Sequence, residues 1–310
     1  VMKNKTNFMT KTWVIVVGAM ICCTLWGSAF PCIKIGYRML EIAAADTASQ
    51  ILYAGYRFTL AGVLTIVLGS ILQRKILLPK RSAIGKIGLL SLLQTVLQYL
   101  FFYIGLAHTT GVKASIIEAV STFVAILVAG YLFHQETVTS RKMLGCLIGF
   151  AGVVLVNVAG SGMDFHFSPA GDGCILLSTV AYAFSSVCMK RFSQKEDPVM
   201  LSGYQFILGG IVMIACGAAM GGHLKAFTAS AAALLIYMAM ISAVAYSLWG
   251  MLLKYNPVSK VTVFGFMNPV IGVILSALLL NETESLGVSS VLALGLVCVG
   301  IYIVNAKDKD

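Results

Sequence analysis

The sequence predicts an all-α membrane protein with ten transmembrane helices, arranged as two inverted five-helix repeats. Three observations support this prediction: an apolar composition, ten long apolar stretches, and a second half that repeats the first. Of the 310 residues, 59% are hydrophobic and 11% are charged, whereas a soluble protein typically carries about 25% charged residues. A spanning helix needs roughly 20 apolar residues. Ten such helices nearly fill the chain and leave no room for a soluble catalytic domain.

The apolar stretches are predicted to be helices because the hydrocarbon core offers backbone groups no hydrogen-bond partner. Each stretch is apolar throughout and lacks the alternation that is typical of β-barrel strands. The fifth stretch is the shortest. The ten predicted spans are residues 13–33, 50–72, 87–107, 114–133, 143–159, 170–189, 199–220, 231–253, 261–280 and 287–305.

The chain repeats short motifs at an interval of 146 to 148 residues. Tyr56-Arg57-Phe58 returns as Tyr204-Gln205-Phe206, which lies 148 residues later, and Glu136-Thr137 returns as Glu282-Thr283, 146 residues later. A duplicated hydrophobic chain is typical of transport proteins whose halves move about a central site.

Residues 1–160 and 161–310 are therefore predicted to be two repeats of five helices each. Because five is an odd number, the second repeat enters the membrane from the opposite face, and the repeats are inverted. A substrate site between such repeats lies near the middle of the membrane.

The distribution of lysine and arginine predicts the orientation. With the N-terminus inside, the inner segments hold 17 of the 22 basic residues, and basic residues gather in cytoplasmic loops. We therefore predict a multi-pass protein of the cell's inner membrane with both termini in the cytoplasm. The same distribution accounts for the formal charge of +10, so no nucleic-acid partner is predicted. The lipid bilayer is the expected partner, and the basic loop between Gln73 and Lys86 suits anionic headgroups.

The motifs of several function classes are missing from the sequence. The eight cysteines fall in or at the edge of apolar spans without a Cys-x-x-Cys pair, which favours packing over a metal or redox role. No His-Glu-x-x-His sequence, phosphate-binding loop or dinucleotide glycine pattern occurs. We predict no metal, no cofactor and no enzyme activity, since a membrane enzyme would also need a nucleophile–base set or paired acids within the membrane.

Two charged residues inside predicted spans are candidate binding residues, because a charge within the membrane is costly. Arg57 lies about two turns into the second span and Glu118 one turn into the fourth, both counted from the outer side. In the functional interpretation Arg57 holds a carboxylate, and Glu118 binds an amine or carries a proton, so protons are a predicted coupling ion. In the structural interpretation the two side chains pair with each other or extend to the outer surface.

Aromatic and amide side chains form the second set of candidates. Gln94 and Gln98 are four residues apart on the third span, beside Tyr99. An aromatic box with a few amides suits an organic solute of modest size, although such a pattern more often reflects packing between helices than a pocket. The other candidates at matching depth are Trp26, Tyr182, Tyr246 and Trp249.

Several short motifs lie at characteristic places in the spans. The first span carries Leu25-Trp26-Gly27-Ser28-Ala29-Phe30 with Lys34 a turn later, and the second carries Tyr56-Arg57-Phe58. Spans four and nine each close on a glutamate, Glu136 and Glu282. Together with the ten spans, these motifs resemble those of the drug/metabolite transporter superfamily, EamA type.

The ninth span contains Asn268-Pro269, where that family often has a proline, whereas Phe123 stands at the equivalent place in the fourth. We therefore expect the two halves to bend differently at this point. The resemblance implies transport of a small organic solute, such as an amino acid, an amine or a related metabolite or drug.

The sequence as a whole predicts a secondary transporter that moves such a solute by alternating access. Its resemblance to the family suggests an exporter. The alternative is a lipid scramblase or a membrane scaffold that transports nothing.

Overall fold

The computed structural model describes residues 8–109, 111–158, 167–224, 228–280 and 288–306. Within these ranges the regular structure is entirely helical, with no strand. In this described part of the chain, nine helices are long and apolar enough to cross a membrane. A tenth apolar helix, at the C-terminal end of the described chain, is shorter by the same measure. The protein is therefore a multi-pass helical membrane protein, and the count of ten spans stays a prediction.

Each predicted span coincides with a helix. Eight of the helices are α1 (Thr12–Met39), α2 (Thr47–Gln73), α3 (Arg81–Leu106), α5 (Ser140–Val158), α6 (Pro169–Ser193), α7 (Pro198–Ala219), α8 (Ala229–Tyr255) and α10 (Val288–Asn305). The fourth, α4, consists of Gly111–Ala119, Ser121–Leu127 and Val128–Leu132, and the ninth, α9, of Val258–Thr262, Val263–Phe266 and Met267–Leu280.

Side-chain caps mark the starts of several helices. The carboxylate of Asp46 accepts the backbone N–H of Ser49 at 3.0 Å where α2 begins. This hydrogen bond holds the pKa of Asp46 below its usual range. Asp197 accepts two backbone N–H groups at the start of α7 and is followed by Pro198, a residue that suits the first turn because it has no N–H to leave unpaired.

Helices α4 and α9 are both interrupted, which differs from the expectation of unequal bending. A turn at Val120 breaks α4, and a 3-10 segment, Val263–Phe266, breaks α9. Val120 and Phe266 are 146 residues apart, the interval of the repeat. Pro269 helps to explain the second break because it cannot donate a hydrogen bond to the preceding turn. The break in α4 occurs without a proline. Glu282, the predicted counterpart of Glu136, lies outside the described residues.

The two predicted halves contact each other through glycines on α2 and α7. A Cβ atom added to Gly62 would lie 2.5 Å from the carbonyl oxygen of Gly203. Helices α5 and α10 cross in the same way, since a Cβ atom on Gly300 would lie 2.5 Å from the carbonyl oxygen of Gly145. Only glycine permits backbones to approach this closely, so dispersion contacts between backbones hold the helix pairs together.

Hydrogen bonds near the helix termini define the two ends of the bundle. At one end, here called proximal, Asn256 Nδ2 donates to the carbonyl of Met9 at 3.1 Å, and Arg141 donates to the carbonyl of Ala306. The first and last described segments therefore lie at the same end. At the opposite end, here called distal, the backbone N–H of His223 donates to Ser49 Oγ at 3.0 Å.

Candidate functional site

A cavity of about 440 Å³ lies in the distal half of the bundle. Its lining residues come from α1 to α4 of the first predicted half and from α6, α8 and α9 of the second. Its volume is in the range of small-molecule sites, which are mostly apolar with a few polar groups. Seven of the nine predicted site residues line the cavity: Trp26, Arg57, Gln98, Tyr99, Glu118, Tyr182 and Tyr246.

The other two predicted residues, Gln94 and Trp249, do not line the cavity. Gln94 is 3% exposed, and its Oε1 accepts a hydrogen bond from Gln205 Nε2 at 3.2 Å. It lies in a π-helical turn, Ser91–Leu97. Its side chain contacts α7, whereas Gln98 on the same helix lines the cavity. Trp249 is 2% exposed and packs edge-on against Trp26, with ring centroids 5.0 Å apart.

Several cavity residues were not among the predicted site residues. Tyr37 and Ile33 continue the face of α1 that Trp26 begins, and Ser178 lies one turn before Tyr182 on α6. Helical spacing from the predicted aromatics could have identified them. Lys34, which lies at the outer end of the first predicted span, has an exposed side chain that also lines the cavity.

Arg57 is a buried cation on the cavity wall. Its side chain is held by α8, because Nη2 and Nε donate to Ser242 Oγ at 3.1 and 3.4 Å. The guanidinium carbon lies 4.9 Å from the centroid of the Phe58 ring. Among the described residues, no carboxylate lies within ion-pair distance of Arg57. A buried guanidinium whose own contacts are a hydroxyl and a ring can accept an anionic group from a ligand.

Glu118 faces the same cavity from α4. Over the described ranges its carboxylate has neither a hydrogen-bond nor an ion-pair partner, so the structural pair with Arg57 is not formed. An unpaired carboxyl group inside the membrane-spanning part of a protein is a candidate for binding a cation or a proton.

Aromatic rings form the floor of the cavity and include pairs that the repeat relates. The hydroxyls of Tyr99 and Tyr246, which are 147 residues apart in sequence, share a hydrogen bond of 2.9 Å. Phe58 and Phe206, 148 residues apart, stack with centroids 5.3 Å apart and planes 15° from parallel. Each pair joins one predicted half to the other. The two phenylalanines do not line the cavity but pack directly behind Tyr99 and Tyr246, so the floor rests on a contact between the halves.

Four polar atoms of cavity residues are buried without a hydrogen-bond partner in the described part of the chain. They are Trp26 Nε1, Tyr37 Oη, Gln98 Oε1 and Asn268 Oδ1. Buried polar groups are nearly always satisfied in native structures. One N–H donor, two acceptors and a hydroxyl at a single cavity therefore indicate a site for a ligand that carries both donors and acceptors. No cluster of His, Cys, Asp or Glu suited to a metal ion occurs in the described part of the chain.

On the proximal side of the aromatic floor, polar contacts between the halves close the bundle. Glu136 follows α4, and its carboxylate accepts the backbone N–H of Ser259 at 2.9 Å and the Ser259 hydroxyl at 2.5 Å. Lys142 Nζ donates to the same carboxylate at 3.0 Å. We call Glu136 and Ser259 the proximal latch.

Comparison with known proteins shows which family the chain belongs to. The sequence profile of the EamA-like transporter family matches residues 13–158 and 169–306. The chain belongs to this family. EamA-like relatives include an uncharacterized transporter of Archaeoglobus fulgidus, 28% identical over 96% of this chain and 99% of its own length.

Further relatives and a solved structure match over a similarly large share of this chain. The uncharacterized inner membrane transporter YedA of Escherichia coli is 28% identical over 91% of this chain and 90% of its own length. The WAT1-related protein At3g02690, chloroplastic, of Arabidopsis thaliana is 25% identical over 96% of this chain and 70% of its own length. A solved crystal structure at 16% identity shares the fold, with a TM-score of 0.77 over 94% of this chain and 96% of that one. The family, the Archaeoglobus fulgidus relative and YedA are named as transporters.

Proposed function

We propose that the protein is a secondary transporter that moves a small organic solute across the membrane by alternating access. The observation that carries the proposal is the cavity between the halves. It holds a buried cation, Arg57, and a partly buried carboxyl group, Glu118, and neither has an ionic partner in the described part of the structure. Such groups are costly inside a membrane unless a ligand or an ion completes them.

The proposed mechanism uses two inverted five-helix repeats, residues 1–160 and 161–310. The contacts between repeat-related residues, Tyr99 with Tyr246 and Phe58 with Phe206, support a pseudo-two-fold relation. The interruptions of α4 and α9 at equivalent positions support it further, because discontinuous helices often flank the site in inverted-repeat transporters.

The lining of the cavity favours a solute with an acidic group, a basic group, or both, and with an apolar portion. Arg57 suits a carboxylate, Glu118 suits an amine or a proton, and the aromatic floor suits an apolar body or a cation over a ring. Amino acids, amines and related metabolites or drugs meet this description. We propose export as the direction on the family resemblance.

A thermal-shift screen of amino acids, amines and nucleosides tests the proposal, because a ligand that binds the folded protein raises its melting temperature. Each solute found in this way is then loaded into liposomes that contain the protein, and its release is measured against protein-free liposomes. We expect at least one solute to show both a shift and flux. Movement of a fluorescent lipid without any solute flux would instead identify a scramblase.

The two tryptophans in contact should behave differently when truncated. Trp26→Ala should reduce the melting-temperature shift given by a solute from the screen, because Trp26 lines the cavity. Trp249→Ala should instead lower the free energy of unfolding by roughly 3–5 kcal/mol, the usual loss for a buried ring. Thermal unfolding with and without the solute separates the two effects. A stable Trp249→Ala protein that no longer responds to the solute would make Trp249 a binding residue.

The proposed orientation places the proximal end, with both termini, in the cytoplasm of a cell with the protein in its inner membrane. Lys75→Cys, in the exposed loop after α2, should then resist a membrane-impermeant maleimide in intact cells. Ala44→Cys, exposed in the loop before α2, is the matched control and should react. Mass spectrometry of the individual peptides separates the new cysteines from the native ones. Rapid labelling of Lys75→Cys in intact cells would reverse the orientation.

A further inference from the structure

Two hydrogen bonds occupy positions that the sequence repeat makes equivalent. Arg57 on α2 donates to Ser242 on α8 at 3.1 Å. Thr95 on α3 donates to Gln205 Oε1 on α7 at 2.7 Å. Gln205 lies 148 residues after Arg57, and Ser242 lies 147 residues after Thr95. The same contact between the halves is therefore made twice.

The surroundings of the two contacts differ. Arg57 lines the distal cavity, whereas Gln205 and Thr95 are both 0% exposed. Gln205 Nε2 also donates to Gln94 Oε1 at 3.2 Å, and Gln94 is 3% exposed. Gln94, Thr95 and Gln205 are here called the amide cluster.

Stability alone does not require the amide cluster. Its hydrogen bonds offset the cost of burying three polar side chains, and apolar residues of the same shape can be equally stable. The cluster lies beside the stacked pair Phe58–Phe206, where α2 crosses α7. If the two halves exchanged conformations, the distal cavity would close and an equivalent cavity would open at the proximal end. Gln205 would then line that proximal cavity as Arg57 lines the distal one.

We infer that the amide cluster forms the polar wall of a second cavity, which opens at the proximal end when the distal cavity closes. This inference rests on the proposed alternating access. The second cavity offers amides and a hydroxyl where the first offers a guanidinium. The counterpart of Glu118, 146 residues later, is Phe264, which is 2% exposed in the core. The second cavity therefore takes the polar group of the solute by neutral hydrogen bonds and without its own charged pair.

Cysteine accessibility tests the inference without knowledge of the solute. Gln205→Cys is treated with a membrane-impermeant maleimide in inverted membrane vesicles and in intact cells, and its peptide is quantified by mass spectrometry. We expect labelling in the inverted vesicles, where the proximal end is outside, and none in intact cells. Arg57→Cys, at the equivalent position, should give the opposite result. Thr95→Cys repeats the test if Gln205→Cys does not fold.

A matched buried control and a second change sharpen the result. Thr65→Cys on α2 is the control, since Thr65 is 2% exposed and its hydroxyl donates to the carbonyl of Ala61 in its own helix. It should remain unlabelled from both sides. Adding Ser259→Ala removes one donor from the proximal latch. The hydrogen bond from Ser259 to the charged Glu136 stabilises the closed proximal end, and opening would break it. Without this bond opening is more frequent, so the labelling rate of Gln205→Cys should rise by about tenfold.

The outcomes separate the inference from the proposed function. Labelling of Gln205→Cys in inverted vesicles no faster than that of Thr65→Cys, or labelling from intact cells, would overturn the inference. If solute flux is present in liposomes at the same time, the transporter proposal survives that result. Absence of flux for every solute that binds would overturn the proposed function, whatever the labelling shows.

Discussion

Replacing Arg57 with glutamine should reduce solute flux in liposomes by about a hundredfold while leaving the protein folded. The guanidinium is the buried cation of the cavity, and charge-assisted hydrogen bonds to a ligand are among the strongest polar contacts, at roughly 1.5–3 kcal/mol each. Glutamine fits because the second half already carries Gln205 at the equivalent position. The matched control is Arg38→Gln, which removes an exposed charge near the distal end of α1 and should leave flux unchanged.

The melting temperature of Arg57→Gln decides between a binding and a structural role. A protein that unfolds close to the native temperature and has lost flux supports binding. Normal flux in Arg57→Gln would remove Arg57 from the site and leave it as a residue that joins α2 to Ser242 of α8.

Glu118→Gln should remove the pH dependence of flux. The carboxyl group of Glu118 faces the cavity without an ionic partner among the described residues, so a proton is a suitable means of cancelling its charge during a transport cycle. Glutamine keeps the shape and cannot titrate. Initial flux is measured at a series of external pH values, with and without an imposed pH gradient. Glu41→Gln, an exposed acid at the distal end, is the matched control and should retain the native profile.

An unchanged pH profile in Glu118→Gln would assign proton coupling to another residue or leave a facilitator with no coupling ion. A loss of all flux at every pH would instead place Glu118 in direct contact with the solute. In either case the stability of the variant must be close to that of the native protein for the comparison to hold.

The helices could be predicted from the sequence because a bilayer restricts the possible structures so strongly. Any stretch of about 20 apolar residues must satisfy its backbone internally, and a helix does so. Seven cavity residues could be identified for a related reason: charges and matched aromatics are rare within spans, and the repeat gives their relative depth. The count of ten spans and the boundary near residue 160 stay predictions.

Side-chain direction was harder to predict than depth. Gln94 was assigned to the same face as Gln98 by its four-residue spacing, but its side chain bonds to Gln205 of α7 and does not line the cavity. Trp249 has a suitable depth, yet its ring packs against Trp26 and does not line the cavity. The contact between Glu136 and Ser259 joins residues 123 positions apart, and no local pattern indicates which partner a loop glutamate will find.

The proximal latch makes the beginning of one helix depend on the docking of the other half. The backbone N–H of Ser259 belongs to the first turn of α9, so Glu136 supplies from the first half the acceptor that a helix start needs. Opening at this end would uncap α9, and losing a cap costs about 0.5–2 kcal/mol. Lys142 would still neutralise Glu136, because both belong to the first half. Opening would therefore leave no unpaired charge, and its main energetic cost would be the fraying of a single helical turn. The closure can for this reason be both specific and easily reversed.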